Sequence, residues 1–119
     1  MNDFHEFLNH EKQVLLKNIE RMENGLEWYE EDDPLAQGHL AMIDLQRRHV
    51  AMIDSLIEDD GNIDSTLATC TEAIALAEEN HRQILAQGKS TNEQWWVTLD
   101  TIQFLGSLIS RIQNFRQHA

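Results

Sequence analysis

The stretch DPLAQGHLAMIDLQRRHVAMIDSLIEDDG, residues 33–61, decides the fold class. Asp33 stands before Pro34, the only proline of the chain. An aspartate accepts a hydrogen bond from the free amides that open a helix, and proline, with no amide and a helical φ, suits the first helical position. Leu35, Ile43, Val50, Ile53 and Ile57 follow at the spacings that place residues on one helix face. Acids and Gly61 then break the pattern. The stretch predicts a helix over residues 34–58.

Inside it, His39-Leu40-Ala41-Met42-Ile43-Asp44 is nearly rewritten as His49-Val50-Ala51-Met52-Ile53-Asp54. Ten residues turn a helix by about 1000°, so the second copy is rotated by about 80° from the first. A doubled ligand set would use a repeat of about seven or eleven residues, which returns nearly to the same face. The two copies are therefore similar helix-forming runs and not a tandem motif. His39 and Met42 are expected on the buried side, His49 toward its edge, and Asp44 and Asp54 outward.

Working outward, Phe4, Leu8, Leu15, Ile19, Met22, Leu26 and Tyr29 share one face of a helix predicted over residues 3–31. Leu67, Cys70, Ile74, Ala77, Ile84 and Leu85 mark a third helix over residues 64–87, with Gly88 as its left-handed cap. Ser90-Thr91-Asn92-Glu93 reads as a capping box opening a fourth helix over residues 91–117, with Trp95, Leu99, Ile102, Leu105, Ile109 and Ile112 inward. Short links favour antiparallel neighbours, so the expected fold is an all-α, up-down-up-down four-helix bundle forming a single domain over residues 1–119. Val97, Phe104, Leu108 and Phe115 give helix 4 a second apolar side, the expected surface for self-association as a homodimer.

Composition narrows the function. The 119 residues are 41% hydrophobic and 25% charged, which separates the chain from disordered sequences. No apolar run approaches the roughly 20 residues of a membrane span, and the N-terminus lacks a secretory pattern, so the expectation is a cytoplasmic protein without a membrane partner. Cys70 is the only cysteine, which excludes an internal disulfide and a zinc site built on cysteine pairs. A net charge of −12 opposes direct binding of nucleic acid.

Glu78 and His81 have the carboxylate-then-imidazole spacing that di-iron bundles use, but the remaining helices do not supply the other acids. Glu11, His39, His49, Glu78 and His81 are the credible ligands of a core metal or histidine site. The preferred reading makes Glu11 with His49, and His39 with His81, polar layers that set helix register. His49-Val50-Ala51-Met52-Ile53 lacks the lysine and glycine that follow the phosphorylated histidine of phosphotransfer domains. No glycine-rich phosphate loop or nucleophile elbow occurs, so no cofactor and no enzymatic activity are expected.

Glu23, Glu27, Glu30, Glu31, Asp32 and Asp33 lie within eleven residues that contain no base. Such a field steers a basic partner toward the surface and is screened by salt. Trp28, inside the cluster, and Trp96, at the start of helix 4, fall off their helical stripes, and exposed aromatics are common anchors of interfaces. The expected function is that of an acidic protein-binding module, an adaptor, antagonist or regulator, contacting a basic protein surface through Glu27, Trp28, Glu30, Glu31, Asp32, Asp33 and Trp96. The alternatives are a nucleic-acid mimic that inhibits a DNA- or RNA-binding protein, and the core metal or histidine site.

Overall fold

The computed structural model describes residues 3–88 and 93–118. Along the chain run α1 (Asp3–Gly25), a 3-10 turn (Leu26–Trp28), α2 (Pro34–Asp59), α3 (Ile63–Ala86) and α4 (Glu93–His118). No strand occurs among the described residues. The all-α class and the four helices read from the sequence are those observed. Two compact units divide the chain, Met1–Asp60 and Gly61–Ala119, each built around one helical hairpin.

In the first unit α1 and α2 pack antiparallel. Lys12 Nζ meets Asp54 Oδ1 at 2.7 Å, Arg47 meets Glu23 at 3.1 Å, and His5 Nε2 meets Asp60 Oδ1 at 2.9 Å. Phe4, Leu8, Ile19, Ala36, Ile43, Ile53 and Leu56 are buried. Large apolar side chains of this kind stabilise by about 1.5–3 kcal/mol each on full burial. The Asp33 carboxylate accepts from the Leu35 amide at 2.9 Å and Pro34 opens the helix, as the sequence predicts. At the far end it is Asp60, not Gly61, that adopts the left-handed conformation, with φ 51° and ψ 36°. Aspartate tolerates that region better than most residues, at a cost of about 1 kcal/mol.

Helix 1 is shorter than its apolar spacing suggests. It stops at Gly25 rather than at residue 31, and Leu26–Trp28 tighten into the 3-10 turn, closed by the Tyr29 amide on the Leu26 carbonyl at 3.1 Å. Tyr29 is extended, with φ −121° and ψ 150°. Asn24-Gly25 is a poor helical pair, and the acids beyond it would stand at the negative end of the helix dipole. Leaving the helix there spares them that position.

In the second unit Asn62 caps α3, its side chain accepting from the Ser65 amide at 2.8 Å. A Cβ on Gly61 would meet the Ser65 hydroxyl, which would have to rotate away from the Asn62 carbonyl it now bonds. Gly88 ends α3 with φ +70°, its amide on the Leu85 carbonyl, as expected of a left-handed cap. The α3–α4 pair is antiparallel, with Arg116 bonded to Asp64 at one end and His81 to Thr98 at the other. Thr66, Cys70, Ala77, Leu105, Leu108 and Ile112 are buried. The capping box at residues 90–93 lies outside the described residues, apart from the helical backbone of Glu93.

Candidate functional site

The segment between α1 and α2 is short, ordered by its own hydrogen bonds and strongly acidic. The Asp33 amide donates to the Glu30 carbonyl at 3.0 Å, and Gln37 Nε2 donates to the Glu31 carbonyl at 3.0 Å. Leu26 and Tyr29 are half-buried anchors, and the Tyr29 ring stacks on His39 with centroids 5.3 Å apart. These contacts hold the backbone while Glu27, Glu30, Glu31 and Asp32 remain exposed. Among the described residues none of these four carboxylates forms an ion pair.

Two acids of the sequence cluster have other work. Glu23 is bound to Arg47, and Asp33 is the N-cap of α2. Asp33 is thus a structural residue, a correction to its expected place among the partner-contacting acids, because its carboxylate is already satisfying a helix amide. Trp28 is 86% exposed in the midst of the unpaired acids, the largest exposure among the bulky apolar side chains. No Lys or Arg occurs from Met22 to Gln46.

The sequence reading also missed exposed apolar surface on α2. Leu35 and Met42, expected to be buried, are 61% and 49% exposed. Together with Pro34, Gly38 and His39 they line a shallow depression of about 320 Å³. His39, expected near the centre of the buried side, is half-buried against Tyr29.

In the second unit Trp96 is 59% exposed and meets Trp95 edge-on, with centroids 4.6 Å apart. Trp95 in turn lies 5.1 Å from the His81 ring. The Thr98 hydroxyl lies 3.0 Å from the carbonyls of Gln94 and Trp95 and 2.8 Å from His81 Nδ1. His81 thus has a polar partner within its own hairpin, Thr98 on α4. Beside this cluster a groove of about 420 Å³ runs between Asn80 and Gln83 on α3, with Gln87 just beyond its end, and Gln94 and Val97 on α4.

The second apolar side of α4 is not an open face. Leu108 is fully buried at 0% exposure, and Val97, Phe104 and Phe115 are half-buried. Leu105, Leu108 and Ile112 are spaced by three and four residues and share the inward side, which removes Leu108 from any self-association surface.

Neither metal chemistry nor thiol chemistry gains support from the geometry. Among the described residues no three His, Cys, Asp or Glu side chains are grouped to hold an ion. Glu78 is exposed and His49 is buried. The Cys70 thiol is buried, and burial pushes its pKa up, away from the reactive thiolate. No helix among the described residues is long and apolar enough to cross a membrane. Comparisons of the chain with family models, curated proteins and solved structures find no match.

Proposed function

We propose that this chain acts by binding another protein, not by catalysis, and that residues 27–32 form the contact region for a basic partner surface. The observation that carries this reading is Trp28, 86% exposed among four carboxylates that have no ion-pair partner. An exposed tryptophan offers a large apolar contact at low entropic cost, and the surrounding acids accelerate encounter with positive charge. Acids gathered in one turn favour this reading over nucleic-acid mimicry, which needs carboxylates spaced along a face as phosphates are.

The test is affinity capture from the native host with two baits, the native chain and a variant carrying Glu27→Gln, Glu30→Gln, Glu31→Gln and Asp32→Asn. The native bait should retain a basic protein at low salt and release it at high salt. The variant should fail to retain it while keeping its helicity and melting temperature. Capture indifferent to both the substitutions and the salt overturns the proposal.

A further inference from the structure

One line of side chains along α2 changes from exposed to buried without leaving its face. Leu35, Met42, His49 and Leu56 are each seven residues apart, a spacing that turns only about 20° per step and so keeps them on one seam. Their exposures fall from 61% to 49%, then to 9% and 6%. The exposed part of the seam is thus its N-terminal half, Leu35 and Met42. The side of α2 that meets α1 is marked by Arg47 and Asp54, which bond to Glu23 and Lys12. Leu35 and Met42 stand about a quarter of a turn or more from it, with each residue stepping about 100°.

Two features give the open half the form of a receptor. Gly38 sits between Leu35 and Met42, and nothing lies within 4 Å of where its Cβ would be, so it leaves a notch between two large apolar side chains. Leu35 and Met42 are separated by about two helical turns, roughly 10 Å, the span over which a partner helix presents residues one or two turns apart. Charge selects the occupant. Glu27, Glu30, Glu31 and Asp32 precede Pro34, which lines the depression, in a stretch of the chain without Lys or Arg. A second copy of this chain would bring the same acids and a net charge of −12 to the contact.

We infer that the Leu35–Gly38–Met42 notch receives a basic amphipathic helix of a partner protein, one apolar side chain entering at Gly38 and flanking Lys or Arg residues meeting the acidic turn beside Trp28. This rests on the protein-binding reading above and supplies the chemical class of its partner. Helix-in-groove recognition of this kind draws its selectivity from the placement of apolar anchors, while the charges contribute attraction that does not depend on their order.

The experiment separates those two contributions. Two synthetic peptides of about 14 residues, roughly four helical turns, are made from the same leucines and lysines. One has its leucines on a single helical face and the other has them scattered. Each is titrated into isotope-labelled full-length chain while amide chemical shifts are followed. The patterned peptide should perturb residues 27–42 and bind about ten-fold or more tightly than the scattered one. Gly38→Leu, whose Cβ meets nothing within 4 Å, and Leu35→Asp should each abolish that preference while retaining helicity and melting temperature. Equal binding of the two peptides at residues 27–32 overturns the notch and leaves the acidic contact region standing. Absence of perturbation at residues 27–42 with either peptide overturns both. Light scattering that shows a dimer dissociated by Leu35→Asp assigns the notch to a second copy and overturns the basic partner.

Discussion

The two hairpins solve the same packing problem with different chemistry. Met1–Asp60 carries 15 Asp and Glu against five Lys and Arg, net −10, whereas Gly61–Ala119 carries six against four, net −2. The first fastens its helices with ion pairs, Lys12 to Asp54 and Arg47 to Glu23. The second has Arg116 bonded to Asp64, but adds a His81–Thr98 hydrogen bond, the Trp95–His81 ring contact, and threonine hydroxyls turned back onto helix carbonyls at Thr69, Thr71, Thr98 and Thr101. Nearly the whole negative charge of the chain thus resides in the hairpin that also bears the open apolar seam. Charge and exposed apolar surface coincide there, and that coincidence, more than the fold, directs attention to a binding role.

The comparison is tested most severely in the two cores. Ile53→Ala in the first hairpin and Ile112→Ala in the second remove side chains at 0% exposure, and each should cost about 2–5 kcal/mol in urea unfolding, from lost transfer energy plus the cavity left behind. A loss well under 1 kcal/mol at either site would show that the residue is not packed as described. Phe104→Glu, by contrast with Leu108→Glu, should leave a folded chain, because Leu108 is fully buried and Phe104 only partly so.

Next come the caps, one for each hairpin. Asp33→Ala and Asn62→Ala should each destabilise by about 0.5–2 kcal/mol, since both side chains hold a helix-opening amide. Asp32→Ala, next to the first cap but exposed, should change the urea midpoint little. Equal effects at Asp32 and Asp33 would refute the division of that acidic turn into structural and available carboxylates.

Smaller still are the ion pairs. Lys12→Met should cost about 0.2–1 kcal/mol at low salt and less at high salt, because both partners are partly exposed and screened. The comparable change in the second hairpin, Thr98→Val, should show no such salt dependence. The smallest effect at neutral pH is that of Cys70. Burial raises the folded thiol above its unfolded value, so its neutral form contributes fully below the unfolded value. That contribution is lost as pH rises through the unfolded value toward the folded one. Stability should therefore fall on the alkaline side, less steeply in Cys70→Ala, and thiol reagents should label Cys70 only when the chain is unfolded.

What the sequence disclosed depended on how local the cause was. The Asp33-Pro34 start and the Gly88 stop each rest on the chemistry of a few adjacent residues, and both occur where that chemistry places them. The end of α1 was misread because Tyr29 continues the apolar spacing, although Asn24-Gly25 and the acids that follow turn the backbone out of the helix. Leu35 and Met42 were misassigned for a different reason. Periodicity identifies which face of a helix is apolar, but it carries no information on how far along that face the neighbouring structure reaches. Leu108 is the converse case, an inward residue given to an outer side because the width of the α4 stripe was underestimated. Trp28 and Trp96 lie off their stripes in the sequence and are exposed in the structure, so the exposure of these two aromatics was legible.

The placement of Glu27, Glu30, Glu31 and Asp32 beside an uncovered leucine and methionine has a colloidal consequence. At neutral pH every molecule approaches every other with its sticky spot surrounded by like charge, so the same carboxylates that invite a cation keep the population dispersed. Added salt screens that guard while the greasy spot is unchanged. Turbidity at high salt should accordingly start at the first hairpin, and Leu35→Asp should delay it.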